Sequence, residues 1–192
     1  MDKEISKELL DLCKKQDSRA QHELYRACYS FLMSVCSRYT INKEDSESLL
    51  NQSFLKILLN VCNYKQEVPF KLWIRKITVN TIIDEFRKNK KIKQNTLTVD
   101  FQNSVESNSL FEINNYIKKI DAQEIFDLIS QLPEISKTVF NMFVVDGYSH
   151  KEIAEALGIP EGTSRWQLNS AKEELKKKLS TKYDSSYKKA VS

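Results

Sequence analysis

A glycine set between two helical hydrophobic patterns constrains this chain more than any other feature. The stretch is Asp146 to Leu179, DGYSHKEIAEALGIPEGTSRWQLNSAKEELKKKL. Ser149 is placed to cap a first helix, and Glu152, three residues on, completes a capping box. Ile153, Ala154 and Leu157 then fall on that helix's inner face. Gly158 ends it, because the residue just past a helix C-terminus often needs a positive φ that glycine adopts without Cβ strain. Pro160 suits the first turn of a new helix, where its missing N–H costs nothing. The expectation is two short helices joined by a tight elbow, a helix-turn-helix.

Stepping about 100° per residue along the second helix puts Ser164, Leu168, Ala171 and Leu175 on one face, which should pack on the first helix. Arg165, Trp166, Asn169, Ser170 and Glu173 lie on the other. A cation, an aromatic ring, an amide and a hydroxyl near a helix N-terminus can read base edges in the major groove, with Lys172 and Lys176 expected on phosphates. The plainer alternative is an amphipathic hairpin with a solvated polar face.

A second basic helix is expected at Phe70 to Lys93, FKLWIRKITVNTIIDEFRKNKKIK. Leu72, Val79, Ile82, Ile83 and Phe86 share one face and read as core. Trp73, Asn80, Asp84, Arg87 and Lys91 share another. That mixture suits unpaired DNA, since cations follow phosphates, flat rings stack on exposed bases and amides bond base edges. Each member also has a structural reading: Trp73 as a packing residue beside Phe70, Ile74 and Ile77, and Asp84 as an intrahelical ion-pair partner of Arg87 or Lys88. Upstream, the apolar repeats Ala20, Leu24, Ala27, Cys28, Phe31, Leu32, Val35, Tyr39 and Leu49, Leu50, Phe54, Ile57, Leu58, Val61 predict two long helices. Tyr64 to Pro69 should be a loop, because Pro69 disfavours helix at the residue before it.

Leu132-Pro133, Val139-Phe140, Gly147 to Ala154, Leu157-Gly158-Ile159 and Glu161 to Arg165 resemble region 4 of bacterial RNA polymerase sigma factors of the extracytoplasmic-function (ECF) group of the sigma-70 family. Trp73-Ile74-Arg75-Lys76-Ile77 with Asn80, Asp84, Arg87 and Lys88 resembles regions 2.3 and 2.4 of the same family. The helix from Ser46 to Val61 looks like region 2.2.

The resemblance implies that the C-terminal module binds the minus-35 promoter element through Arg165, Trp166, Asn169, Ser170, Lys172 and Lys176 and touches the polymerase flap. It implies that Trp73, Asn80, Arg87, Lys88 and Lys91, with the loop residues Asn63, Tyr64 and Gln66, hold the melted minus-10 strand. Tyr64 has a packing reading as well. Glu47, Ser48, Asn51, Gln52 and Lys56 would then face the clamp helices of core RNA polymerase. Trp166, Ser48 and Asn51 depart from the small residue, Asp and Gln usual in the family. An anti-sigma protein, often membrane anchored, is a further partner implied by the resemblance.

The fold class expected is all-α, two small helical domains joined by a flexible linker: residues 8–93, a linker at 94–117, a helix-turn-helix domain at 118–179 and a basic tail at 180–192 expected to be disordered. The linker QNTLTVDFQNSVESNSLFEINNYI has no Lys or Arg and is rich in Asn and Ser, and a plain tether and a path toward the polymerase channel both remain open for it. Ile120, Ile125, Leu128, Ile129 and Leu132 lead into Pro133, and Ile135, Val139, Phe140, Phe143 and Val144 should form the next core helix.

Composition accords with this. Three Gly and three Pro in 192 residues favour helices over turn-rich sheets. The net charge of +4 understates local basicity at 87–93 and 172–189, which should make DNA binding salt sensitive. Four cysteines, Cys13, Cys28, Cys36 and Cys62, show no C-x-x-C pair, so buried or half-buried reduced thiols are expected and no metal or cofactor. The two histidines, His22 and His150, stand far apart without a nucleophile elbow or a phosphate-cradling loop, which argues against an enzyme; His150 is expected at the surface or facing phosphate. No signal peptide or membrane span is legible, so the cytoplasm is the expected location. The rival functional reading is a stand-alone helix-turn-helix regulator that binds an operator by itself.

Overall fold

The computed structural model describes residues 5–93 and 122–190, with side chains through 88 in the first stretch and over 124–181 in the second. The chain divides into two compact units, Met1–Ile92 and Lys93–Ser192. Among the described residues every regular element is helical. The linker expected at 94–117 lies outside them.

The first unit contains α1 (Lys7–Lys14), α2 (Ser18–Cys36), α3 (Lys43–Asn60), a 3₁₀ turn at Val61–Asn63 and α4 (Phe70–Lys93). The first three helices open on side-chain caps: Ser6 accepts from the Leu9 amide, Asp17 from Ala20 and Asn42 from Asp45. Each cap satisfies an amide that the helix cannot, worth about 1 kcal/mol. Leu24, Leu32, Val35, Leu50, Ile57, Val61, Ile74 and Val79 fill the core. The long helices fall where the apolar repeats predict. The short α1, which buries Leu10 and Cys13, was not anticipated.

The second unit contains α5 (Ala122–Ser130), α6 (Glu134–Phe140) continuing into a π turn (Asn141–Val145), α7 (His150–Leu157) and α8 (Glu161–Ala190). Its core gathers Leu128, Ile129, Leu132, Val139, Met142, Ile153, Leu157, Leu168, Ala171 and Leu175. α8 runs as helix to Ala190, reaching into the stretch 180–192 that the sequence reading treats as a tail.

Two expected core residues are also corrected. Leu72 stands 54% exposed and Val144 49% exposed. Leu72 sits in the first turn of α4, and the wider π turn displaces Val144 from the stripe that a continuous α-helix would have kept inward.

Candidate nucleic-acid and polymerase interfaces

The elbow in the second unit is built as its residue types demand. Ser149 Oγ accepts from the Glu152 amide at 3.3 Å, while Glu152 Oε2 accepts from the Ser149 amide at 2.8 Å. This reciprocal box fixes the start of α7. Gly158 ends the helix with φ +61° and its amide bonds the Ala154 carbonyl. Three residues later α8 begins, so the sharp reversal rests on one left-handed residue.

Packing then sorts the faces of α8. Ser164, Leu168, Ala171 and Leu175 are buried, as stepping predicts. Buried Ser136 Oγ donates to Gln167 Oε1 at 2.6 Å and ties α6 to α8. Arg165 is exposed, and Trp166, Asn169, Ser170 and Lys176 are partly exposed, so α8 presents a cation, a ring, an amide and a hydroxyl. Arg165 donates to Glu161 Oε1 at 2.7 Å, one turn back.

Lys172 departs from its expected place among the solvent-facing cations. It is only 6% exposed, and burial lowers its ammonium pKa below the usual lysine value. Lys137 on α6 is more deeply buried still, and burial likewise lowers its pKa.

His150 is not a simple surface residue either. Its ring is half-buried and stacked on Phe143, centroids 4.4 Å apart and planes 22° from parallel, and its Nδ1 lies 2.9 Å from Ser164 Oγ. Burial foremost, with nearby Arg165 next, lowers its pKa below the ordinary histidine value.

In the first unit, α4 exposes Asn80, Arg87 and Lys88. The Lys91 side chain lies outside the described residues. Tyr64, Phe70 and Trp73 form an aromatic cluster with centroid separations of 5.1 to 5.6 Å. Tyr64 Oη donates to the Val68 carbonyl at 2.7 Å, closing the loop between α3 and α4. Trp73 and Tyr64 pack on each other and on Phe70, and both rings remain partly exposed. Asn63 and Gln66 are exposed on the same loop.

Asp84 pairs with Lys56 of α3 at 2.9 Å, a partner on another helix that the spacing along α4 does not suggest. Lys88 lies 3.6 Å from Glu85.

The outer side of α3 carries the residues expected to meet the polymerase. Ser48, Asn51 and Gln52 are exposed, and Glu47 and Lys56 partly so. Glu47 accepts from Tyr29 Oη at 3.2 Å and Asn51 from Tyr25 Oη at 2.9 Å, so α2 holds two of these side chains in place. Leu55 and Leu59, 58% and 72% exposed, share this helix and were not singled out by sequence. Their four-residue spacing off the core stripe was the available signal.

Cys13, Cys28 and Cys36 are buried, and burial pushes the thiols of Cys28 and Cys36 up to about 12. Cys62 is exposed, contrary to the expectation for all four. Among the described residues no group of three or more His, Cys, Asp or Glu is arranged to hold a metal ion, and no helix is long and apolar enough to cross a membrane.

Residues 24–92 match the family described as Sigma-70 region 2, and residues 122–175 match Sigma-70, region 4. The chain belongs to the sigma-70 family. Among its relatives are the ECF RNA polymerase sigma-E factor of Haemophilus influenzae, 24% identical over 89% of this chain and 93% of the relative, and the ECF RNA polymerase sigma factor SigW of Bacillus subtilis, 23% identical over 86% and 92%. The RNA polymerase sigma-H factor of Pseudomonas aeruginosa is 22% identical over 92% and 94%. Among solved structures it is similar to the sigma factor RpoE in complex with the anti-sigma factor NepR from Bartonella quintana, with 14% identity, 81% of this chain and 94% of that one covered, and a TM-score of 0.45. Both sigma modules lie on one chain in family order, and the chain is a sigma factor of the ECF group.

Proposed function

We propose that the two units of this sigma factor divide promoter recognition by the state of the DNA. The first unit docks on the polymerase clamp through the outer side of α3, with Glu47, Ser48, Asn51, Gln52 and Lys56 as its polar part and Leu55 and Leu59 as its apolar part. It holds the melted minus-10 strand with Asn80, Arg87, Lys88, Lys91 and the aromatic loop around Asn63, Tyr64, Gln66 and Trp73. The second unit places Arg165, Trp166, Asn169 and Ser170 in the minus-35 major groove, with Lys176 on a phosphate and Lys172 supporting the helix from below. The flap of the polymerase is its second contact.

The observation that carries this reading is the pairing of both sigma signatures, residues 24–92 and 122–175, on one chain. A lone operator-binding regulator needs only the second. Recognition is the chain's contribution and phosphodiester chemistry belongs to the polymerase, so no residue here is assigned a catalytic role. The place of action is the cytoplasm, where polymerase and chromosome meet. An anti-sigma protein covering the same surfaces is the third partner.

In vitro transcription from genomic fragments with core enzyme, with and without this chain, tests the proposal. New, defined start sites that appear only when the chain is added are the expected result. Tight duplex binding by the free chain at a palindromic site, with no gain in start-site selection, would replace it with the operator-binding reading.

A further inference from the structure

His150 takes no part in the reading above, yet three features converge on it. The π turn carries Phe143 over its ring, Ser164 at the start of α8 bonds its Nδ1, and Arg165 is the very next residue on that helix. The imidazole therefore sits at the joint between α7 and the helix assigned to the minus-35 duplex.

The charges around this joint are unbalanced. From α8, His150 faces Arg165, Glu161 and Lys172. Glu161 is the only carboxylate of the three, and Arg165 already engages it. The π turn, Asn141 to Val145, contributes no charged side chain. Burial foremost, then the Arg165 and Lys172 cations, outweigh the already paired Glu161 and lower the pKa of His150 in the free protein.

We propose that His150 is a positioning residue for the minus-35-reading helix and that it takes up a proton when duplex DNA binds. The inference rests on the assignment of α8 to the minus-35 element. The phosphates that flank the groove entered by Arg165 offset the positive charge around this joint, so the imidazolium becomes more stable in the complex than in the free protein. The Ser164 contact survives the change, because a protonated Nδ1 donates to Ser164 Oγ and the neutral ring can bond the same oxygen in either tautomer.

The sign follows from linkage. A group whose pKa is higher in the complex binds a proton on association, so affinity rises as pH falls through the bound-state value. It levels off below the free-state value, which here lies under the ordinary 6.5. A rise of one unit would give about a tenfold gain in affinity across that window.

The test is holoenzyme affinity for a promoter between pH 8 and 5.5, comparing the native chain with His150→Asn, whose side-chain amide can bond Ser164 near the Nδ1 position but cannot become charged. Taking the difference between the two cancels titrations elsewhere in the polymerase. The native chain should gain up to about tenfold relative to the variant as pH falls, and the gain should vanish on DNA cut back to the minus-10 element.

A direct readout covers a variant that folds poorly. The full chain has only two histidines, so NMR titration of their rings with and without excess minus-35 duplex follows His150 against His22. A raised His150 pKa with His22 unmoved supports the proposal. Parallel pH profiles for the two chains, or a His150 titration unchanged by bound duplex, overturn it while leaving the promoter reading intact. Failure to engage the minus-35 element at any pH overturns that reading and this proposal with it.

Discussion

Arg165 must serve two partners if it reads a base. In the free protein it bonds Glu161 at 2.7 Å, with both side chains about half exposed. Exposed pairs of this kind contribute about 1 kcal/mol or less, so a guanine edge offering a bidentate acceptor can outcompete the carboxylate. Replacing Arg165 by Ala should cost about 1 to 3 kcal/mol at one minus-35 position and flatten the preference there. Lys176→Ala should weaken binding to all sequences alike. Transcription from a set of single-base promoter variants separates the two outcomes, and equal losses at every position for both would remove Arg165 from base readout. Gly158 makes a different residue-scale prediction. An added Cβ there meets nothing within 4 Å, so only the φ of +61° resists substitution. Gly158→Ala should therefore destabilise the second unit by about 1 kcal/mol, measured by urea unfolding, without a packing defect.

The start of α7 depends on two side chains that cap each other. Ser149→Ala should cost about 1 kcal/mol of stability, and Glu152→Ala somewhat less. The double variant should fall short of the sum, because each single change already breaks the reciprocal box. A double-mutant cycle with additive losses would mean that the two bonds act separately. This element was legible in advance because capping and glycine termination are local rules, and the same holds for the long helices, whose apolar stripes recur at three and four residues. Long-range arrangements were not legible. Lys172 lies, on ideal stepping, about 20° from Arg165 and about 40° from Leu168, at the border of the two faces, and its long apolar stem let packing draw it inward. Asp84 found Lys56 across the bundle, a pairing that spacing along α4 cannot reveal. The π turn put Phe143 over His150 for the same reason: a one-residue widening of the helix leaves no mark in a hydrophobic pattern.

At the scale of the whole molecule, each unit buries its own apolar core, and cooperative unfolding belongs to a core more than to a chain. The sequence supplies a reporter for each, since its two tryptophans are Trp73 in the first unit and Trp166 in the second. Trp73 packs in the Tyr64 and Phe70 cluster, so its emission should follow opening of the loop and the start of α4. Trp166 sits partly exposed on the first turns of α8, so its emission should follow release of that helix from α6 and α7. With Trp166→Phe and Trp73→Phe variants, urea titrations should give two transitions of different midpoint, each sharp and each with a slope suited to a domain of half this length. A sigma factor that must grip single-stranded DNA with one module and duplex with the other gains from such separability, because either module can engage or release without unfolding its neighbour. Coincident midpoints in both variants and in the native chain would show one cooperative unit instead, and the division of labour between the modules would then have to operate within a single folding transition.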